Sequence, residues 1–345
     1  MPHFIRRLAG ALALGGAALF AAANSASAQS VNIYTTREPG LVLPLFDAFR
    51  RETGITVNTV FISQGVAERM IAEGDNSPAD LIMMVDYGEL INLVERDLTQ
   101  PVQSDVLMNA VPENLRDPNG NWFALSLRAR VIYASADRVD VDELTYEDLA
   151  DPEWADRVCI RSGQHPYNTS LFAAYMAKHG EEATEAYLQA LHGNLSRTAG
   201  GGDRDGARDI LAGICDVAIG NSYYVGLMRS GAGGAEQQEW GAAIKVILPT
   251  FKDGLGTHVN ISGAAIARYA PNYDNAVQLL EFLVSPEAQE IYAQANYEYP
   301  VRSDVPVDPI IAALGELTVD PLPLGEIATY RTRASQLVDI VGFDN

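Results

Sequence analysis

Adjacent tyrosines, Tyr223 and Tyr224, follow the apolar run Asp216 to Gly220 in the segment CDVAIGNSYY. A third, Tyr167, stands a few residues beyond a second apolar run, Arg157 to Arg161. A phenol is ordinarily a poor metal ligand, because it titrates near about 10. A small, highly charged, hard cation binds phenolate oxygen strongly enough to displace that proton. Ferric iron meets the description, whereas Zn²⁺ and Cu⁺ prefer imidazole or thiolate. On spacing alone the alternative stays open, since buried tyrosines with one satisfied hydroxyl are common. Other reactive constellations do not assemble. The histidines at 3, 165, 179, 192 and 258 show neither HxH nor HExxH spacing, and His165 reads as a residue of a surface loop. No GxSxG elbow or EF-hand pattern occurs, and neither GxGxxG nor a P-loop fits the glycine-rich stretch Thr198 to Gly206, which reads as a loop. With no nucleophile–base pair available, the chain reads as a binding protein and not an enzyme. Acidic pairs such as Asp203/Asp205 read as solvated faces.

Phenols so far apart in sequence need a scaffold to bring them together. Val31 to Tyr34 reads as a strand, and Leu41, Leu45, Phe46 and Phe49 share one face of a helix that stops before Gly54. Alternation over Ile55, Val57, Thr59 and Phe61 predicts a strand, 65–72 a helix, and Leu81 to Val85 a buried parallel strand. This order argues a doubly wound α/β lobe. A second lobe starts near Arg157, with a helical region over 170–192 split at Gly180 and strands at 214–220 and 245–248. Two extended apolar stretches, Trp122 to Tyr133 and Val259 to Ala267, carry the chain out of the first lobe and back. The expected division is residues 29–128 plus 262–345 with the C-terminal helices for lobe 1, and 129–261 for lobe 2, with a cleft between them. Ligands of open α/β sheets bind beyond strand C-terminal ends, where the tyrosines sit on loops.

The 345 residues carry 24 Lys+Arg against 45 Asp+Glu, a net charge of -21, which repels phosphate backbones and excludes nucleic acid as a partner. Residues 1–28 read as a cleavable export signal: Arg6 and Arg7, a short apolar stretch from Leu8 to Ala23, then Ala26-Ser27-Ala28. The apolar stretch is shorter than the roughly 20 residues that span a bilayer, so the mature chain is expected outside the cytoplasm with no membrane insertion. In that compartment Cys159 and Cys215, both in strand-like apolar runs, are candidates for a structural bridge if the strands are neighbours. Two free buried thiols are the alternative. A bridge would also make the three phenols converge.

The runs VNIYTTREPG, Cys159-Ile160-Arg161-Ser162 ahead of Tyr167-Asn168, CDVAIGNSYY, GTHVNISGAA and LLEFLVSPEAQEIYAQANYEYPV resemble the periplasmic ferric-iron-binding proteins of ABC importers. The resemblance covers essentially the whole mature chain. It implies a type II periplasmic-binding-protein fold of two α/β lobes joined by crossover strands, with Fe³⁺ held in the interlobe cleft and delivered to an inner-membrane ABC permease. It further implies a monomer with Tyr167, Tyr223 and Tyr224 as phenolate ligands. Better-known members carry a His, or a His-Tyr pair, after the first-lobe arginine, whereas here Arg37 is followed by Glu38 and Pro39. Glu38 is therefore expected as a hard carboxylate ligand, or its place is taken by water or an anion such as carbonate. Arg128, on the first crossover, and Arg37 are the expected holders of a synergistic anion. A binding protein of the same fold for thiamine, a polyamine or sulfate is the alternative. It predicts aromatic stacking or a helix N-terminal anion site in place of converging phenols.

Overall fold

The computed structural model describes residues 29–345, so the signal expected over residues 1–28 lies outside the described residues. The chain opens β1 (Ser30–Thr35), α1 (Pro39–Thr53), β2 (Thr56–Phe61), α2 (Val66–Glu73), β3 (Leu81–Met84), α3 (Tyr87–Glu95), β4 (Thr99–Gln100) and α4 (Asp105–Ala110). Helix α1 buries Val42, Leu45, Phe46 and Phe49 and stops at Gly54, which takes φ 75°. Each such side chain contributes about 1.5–3 kcal/mol when taken fully out of water. β2 is the sheet edge, and for that reason its alternation is only half realised: Phe61 remains 45% exposed.

The crossover strand β5 (Phe123–Ser135) is buried along all 13 residues. The second lobe follows with β6 (Val158–Cys159), α5 (Pro166–His179), α6 (Glu181–Gly193), α7 (Asp203–Leu211), β7 (Val217–Asn221), α8 (Ser222–Ser230), α9 (Ala235–Ala242) and β8 (Ile244–Ile247). The return crossover β9 (Val259–Ala267) leads to α10 (Tyr273–Leu283), α11 (Pro286–Asn296), β10 (Tyr299–Pro300), α12 (Pro309–Ala312), α13 (Leu324–Ala328) and α14 (Arg331–Val341). The strand order is β2-β1-β3-β9-β5-β7-β6, with β4 beside β9 and with β8 and β10 beside β5. The front half of β5 pairs with β9 and β10, and its back half pairs with β7 and β8. One strand thus belongs to both lobes, as the sequence pattern of a crossover implied.

Cys159 and Cys215 are disulfide-bonded, with Cα atoms 5.8 Å apart, and β6 and β7 run parallel beside each other. The stretch Thr198 to Gly206 is not a loop throughout. Helix α7 starts inside it at Asp203, where the Asp205 carboxylate accepts from the Gly202 N–H at 2.7 Å. Acidic groups in the first turn oppose the helix dipole and outweigh the helix-weakening Gly206. The last helices pack across the second lobe's α5 and α6: Arg333 pairs with Glu181 at 2.6 Å, and Asp344 accepts from the N–H of Gly163 at 2.6 Å. Arg331, in the same helix, pairs with Asp86 at the start of α3 at 2.8 Å. Among the described residues no helix is long and apolar enough to cross a membrane.

Candidate metal centre

All three tyrosines stand in the first turn of a helix, not on the loops expected. Asn221 ends β7 and is at once the residue that opens α8, so Tyr223 and Tyr224 occupy its second and third positions. Tyr167 occupies the second position of α5, after Pro166. Unpaired N–H groups and the helix dipole at these ends favour negative charge on a nearby oxygen. His165 is the cap of α5: its Nδ1 accepts from the Tyr167 N–H at 3.2 Å, and its ring meets the Tyr167 ring edge-on at 4.6 Å. Burial, then the charge of Arg161, lowers its pKa to about 4, which keeps the imidazole neutral and able to accept.

A buried polar frame fixes the two helix starts to each other. Asp203, 3% exposed, accepts from Arg130 at 2.6 Å, from Arg161 at 3.2 Å and from the Asn221 N–H at 2.9 Å. Arg130 also donates to Asn168 and to Asn221, and Asn168 donates to the Arg161 carbonyl at 2.9 Å. The solvated role expected of Asp203 is therefore corrected. It lies in the interior, compensating a guanidinium that burial would otherwise penalise heavily.

The Tyr223 and Tyr224 rings lie 4.0 Å apart. Burial raises the Tyr223 phenol well above its ordinary value, Tyr167 and Tyr224 add to this, and Arg128 only partly opposes them. Burial, then Tyr167, raises Tyr224 as well. Without a cation these phenols stay neutral. The guanidinium carbons of Arg161, Arg128 and Arg130 lie 5.3, 5.6 and 6.0 Å from the Tyr167 ring centre, and that of Arg204 lies 5.5 Å from the Tyr224 ring. Positive charge therefore surrounds the cluster.

Tyr167, Tyr223, Glu38, Arg37 and Arg128 line one cavity of about 240 Å³, together with Glu298, which the sequence reading missed. Glu38 is solvent-exposed, and its side chain makes no cap hydrogen bond to α1. Tyr224 faces a neighbouring cavity of about 210 Å³ with Arg161, Asp203 and Arg204. Arg37 donates to Glu298 at 2.7 Å and to the Ser262 hydroxyl at 2.5 Å. Burial works against ionisation of Glu298, but Arg37 and Arg128 outweigh it and hold the carboxyl below its usual range. Among the described residues Arg128 has no carboxylate partner: it donates to the backbone carbonyls of Val85 and Ile261. The Nε–H groups of Arg37 and Arg128 are buried with no hydrogen-bond acceptor among the described residues. The Ser262 hydroxyl also accepts from Arg128 at 3.5 Å, while Asn260 accepts from the Ile261 N–H at 2.7 Å and donates to Asp86 at 2.7 Å.

Residues 34–290 match the model of the bacterial extracellular solute-binding proteins. Iron uptake protein A2 of Synechocystis sp. is 41% identical over 322 residues, covering 92% of this chain and 91% of its own. The solved Bordetella ferric binding protein is 58% identical, with a TM-score of 0.89 over 92% of this chain and 100% of that one. A Trichodesmium protein solved in complex with iron and citrate ligands is 36% identical, with a TM-score of 0.87 over 91% of this chain and 99% of that one.

Proposed function

The chain belongs to the periplasmic ferric-iron-binding proteins, within the bacterial extracellular solute-binding family, and on that premise we propose how it holds its cargo. Tyr167, Tyr223 and Tyr224 bind Fe³⁺ as phenolates in the cleft. Glu38 reaches the ion from the first lobe, or yields its place to water. Arg37 and Arg128 hold a synergistic anion such as carbonate through the Nε–H groups that no acceptor among the described residues takes. The lobes divide at residues 128/129 and 261/262, with the C-terminal helices continuing the first-lobe chain across α5 and α6. The loaded monomer, exported by its N-terminal signal, delivers the ion to an inner-membrane ABC permease.

The observation that carries this reading is the placement of three phenols at the starts of two helices tied together through Asp203. Three phenolates balance the charge of Fe³⁺, so coordination supplies what burial denies them. Phenolate on Fe³⁺ gives a visible charge-transfer band. Protein prepared free of metal and titrated with Fe³⁺ should turn yellow-orange to red. Tyr223→Phe and Tyr224→Phe, which keep the rings packed, should each weaken binding and shift or bleach the band. Wild-type colour and affinity in the double variant would sink the assignment.

A further inference from the structure

Tyr297 is the first of the two residues between α11 and β10, and its backbone is strained. Among the described residues three non-glycine positions have positive φ: Asp97, Asp156 and Tyr297, the last at 57°. Aspartate tolerates this left-handed region, but a bulky aromatic residue seldom enters it, and strain of this kind concentrates where a site needs it. Glycine or asparagine would end α11 here at lower cost. What the conformation achieves is a contact. A Cβ placed on Gly226 would overlap the Cβ and Cγ of Tyr297 and lie 2.6 Å from its Cδ1, so the tyrosine sits directly on the bare Cα of that glycine.

Gly226 lies in α8, three residues beyond Tyr223 and therefore on the same face of the helix. The neighbours of Tyr297 in sequence, Asn296 and Glu298, line the cleft cavity with Tyr223 and Leu227. One side of this contact belongs to the chain after the return crossover, and the other to the helix that carries two of the phenols. With β10 paired to the front half of β5, the contact joins the first-lobe side of the cleft to α8.

We propose that Tyr297 is a positioning residue, a latch that docks on Gly226 and seats α8 against the first lobe when the cleft closes on its cargo. The proposal rests on the reading of the cleft as a ferric-iron site. Gly226 has no side chain because a methyl group there would hold the lobes apart. Tyr297 keeps its strained backbone because the ring reaches α8 only from that conformation.

Strain and contact make opposite demands, which separates this role from a merely structural one. Tyr297→Gly should leave the metal-free protein at least as resistant to urea, while iron passes to a competing chelator roughly five- to tenfold faster. Gly226→Ala should speed iron loss by roughly tenfold or more. Joining Tyr297→Gly to Gly226→Ala should recover part of that loss, since the methyl group then meets no ring. In every variant the charge-transfer band should keep its wild-type position, because the phenols are intact. Small-angle scattering of the iron-loaded Gly226→Ala protein should give a larger radius of gyration than wild type. A normal band with wild-type rates of iron loss in both single variants would overturn the latch alone. No band in the wild-type protein would overturn the iron reading and the latch with it.

Discussion

Loading the site must expel protons, and the number expelled counts the phenolates. An ordinary phenol titrates near about 10, and burial lifts Tyr223 and Tyr224 higher still, Arg128 being too weak to reverse it. At neutral pH the metal-free protein therefore holds its protons, and each phenol that coordinates must release one. If all three tyrosines bind, about three protons leave per iron, and affinity falls by up to about a thousandfold for each pH unit of acidification. The release is measured with an indicator dye in weakly buffered, bicarbonate-free solution, since bicarbonate bound as carbonate would add a proton of its own. Iron is supplied as a soluble chelate, and the same addition without protein gives the blank. Tyr223→Phe should lower the count by about one and the pH slope of affinity by the same amount. Release near zero in the wild type, or an unchanged count in Tyr223→Phe, would refute phenolate coordination whatever the affinity. Ferric hydroxide formation also releases about three protons per iron, so the drop of about one in Tyr223→Phe, and not the total, separates phenolate binding from hydrolysis.

Other perturbations probe the frame. Cys215→Ser opens a loop whose ends are 56 residues apart, and should cost about 4 kcal/mol in urea unfolding while the folded protein still shows the iron band. An unchanged midpoint would contradict a stabilising bridge. His258 is fully buried, with Nε2 at 2.8 Å from the Ser170 hydroxyl, and burial, then Arg130, lowers its pKa from 6.5 to about 3. The unfolded chain binds the extra proton between these values, so His258 favours the fold fully above pH 6.5 and progressively less as pH falls toward 3. At pH 5 the loss should reach about 2 kcal/mol. His258→Gln should flatten that part of the pH dependence, and an equally steep decline in the variant would exclude the imidazole as its source.

The alternation of strands and helices was legible because each element carries its own period, and β5 and β9 stood out because crossovers between lobes must be extended and buried. The position of the phenols was legible from the rule that ligands gather at strand ends. Local pattern failed where distant partners decide. The glycines at 200, 201 and 202 hid the start of α7, and the value of Asp203 depends on Arg130, 73 residues away in sequence. Glu298 carries no local sign of its role, since its partner Arg37 is 261 residues away. The tyrosines were expected on loops, yet β7 passes into α8 with no intervening residue. A short strand-to-helix junction has no signature that distinguishes it from a turn.

The division of labour across the cleft bears on how the proposed site would let its ion go. On the proposed division the three cleft phenols, Tyr167, Tyr223 and Tyr224, belong to the second lobe, and one frame through Asp203, Arg130 and Asn168 ties their helix starts together. On the same division the first lobe contributes an exposed carboxylate, Glu38, and two arginines, Arg37, held by Glu298 and Ser262, and Arg128 at its boundary. On the proposed reading, opening need not distort the phenolate set. It withdraws both guanidiniums and the first-lobe carboxylate from the phenols, and it readmits water. Water brings the protons that burial keeps on Tyr223 and Tyr224 whenever no cation compensates them. The same desolvation that makes the phenols poor acids when the metal is absent then drives them to reprotonate as the ion leaves. On that reading holding and release come from one property of the site, and lobe closure decides which of them prevails.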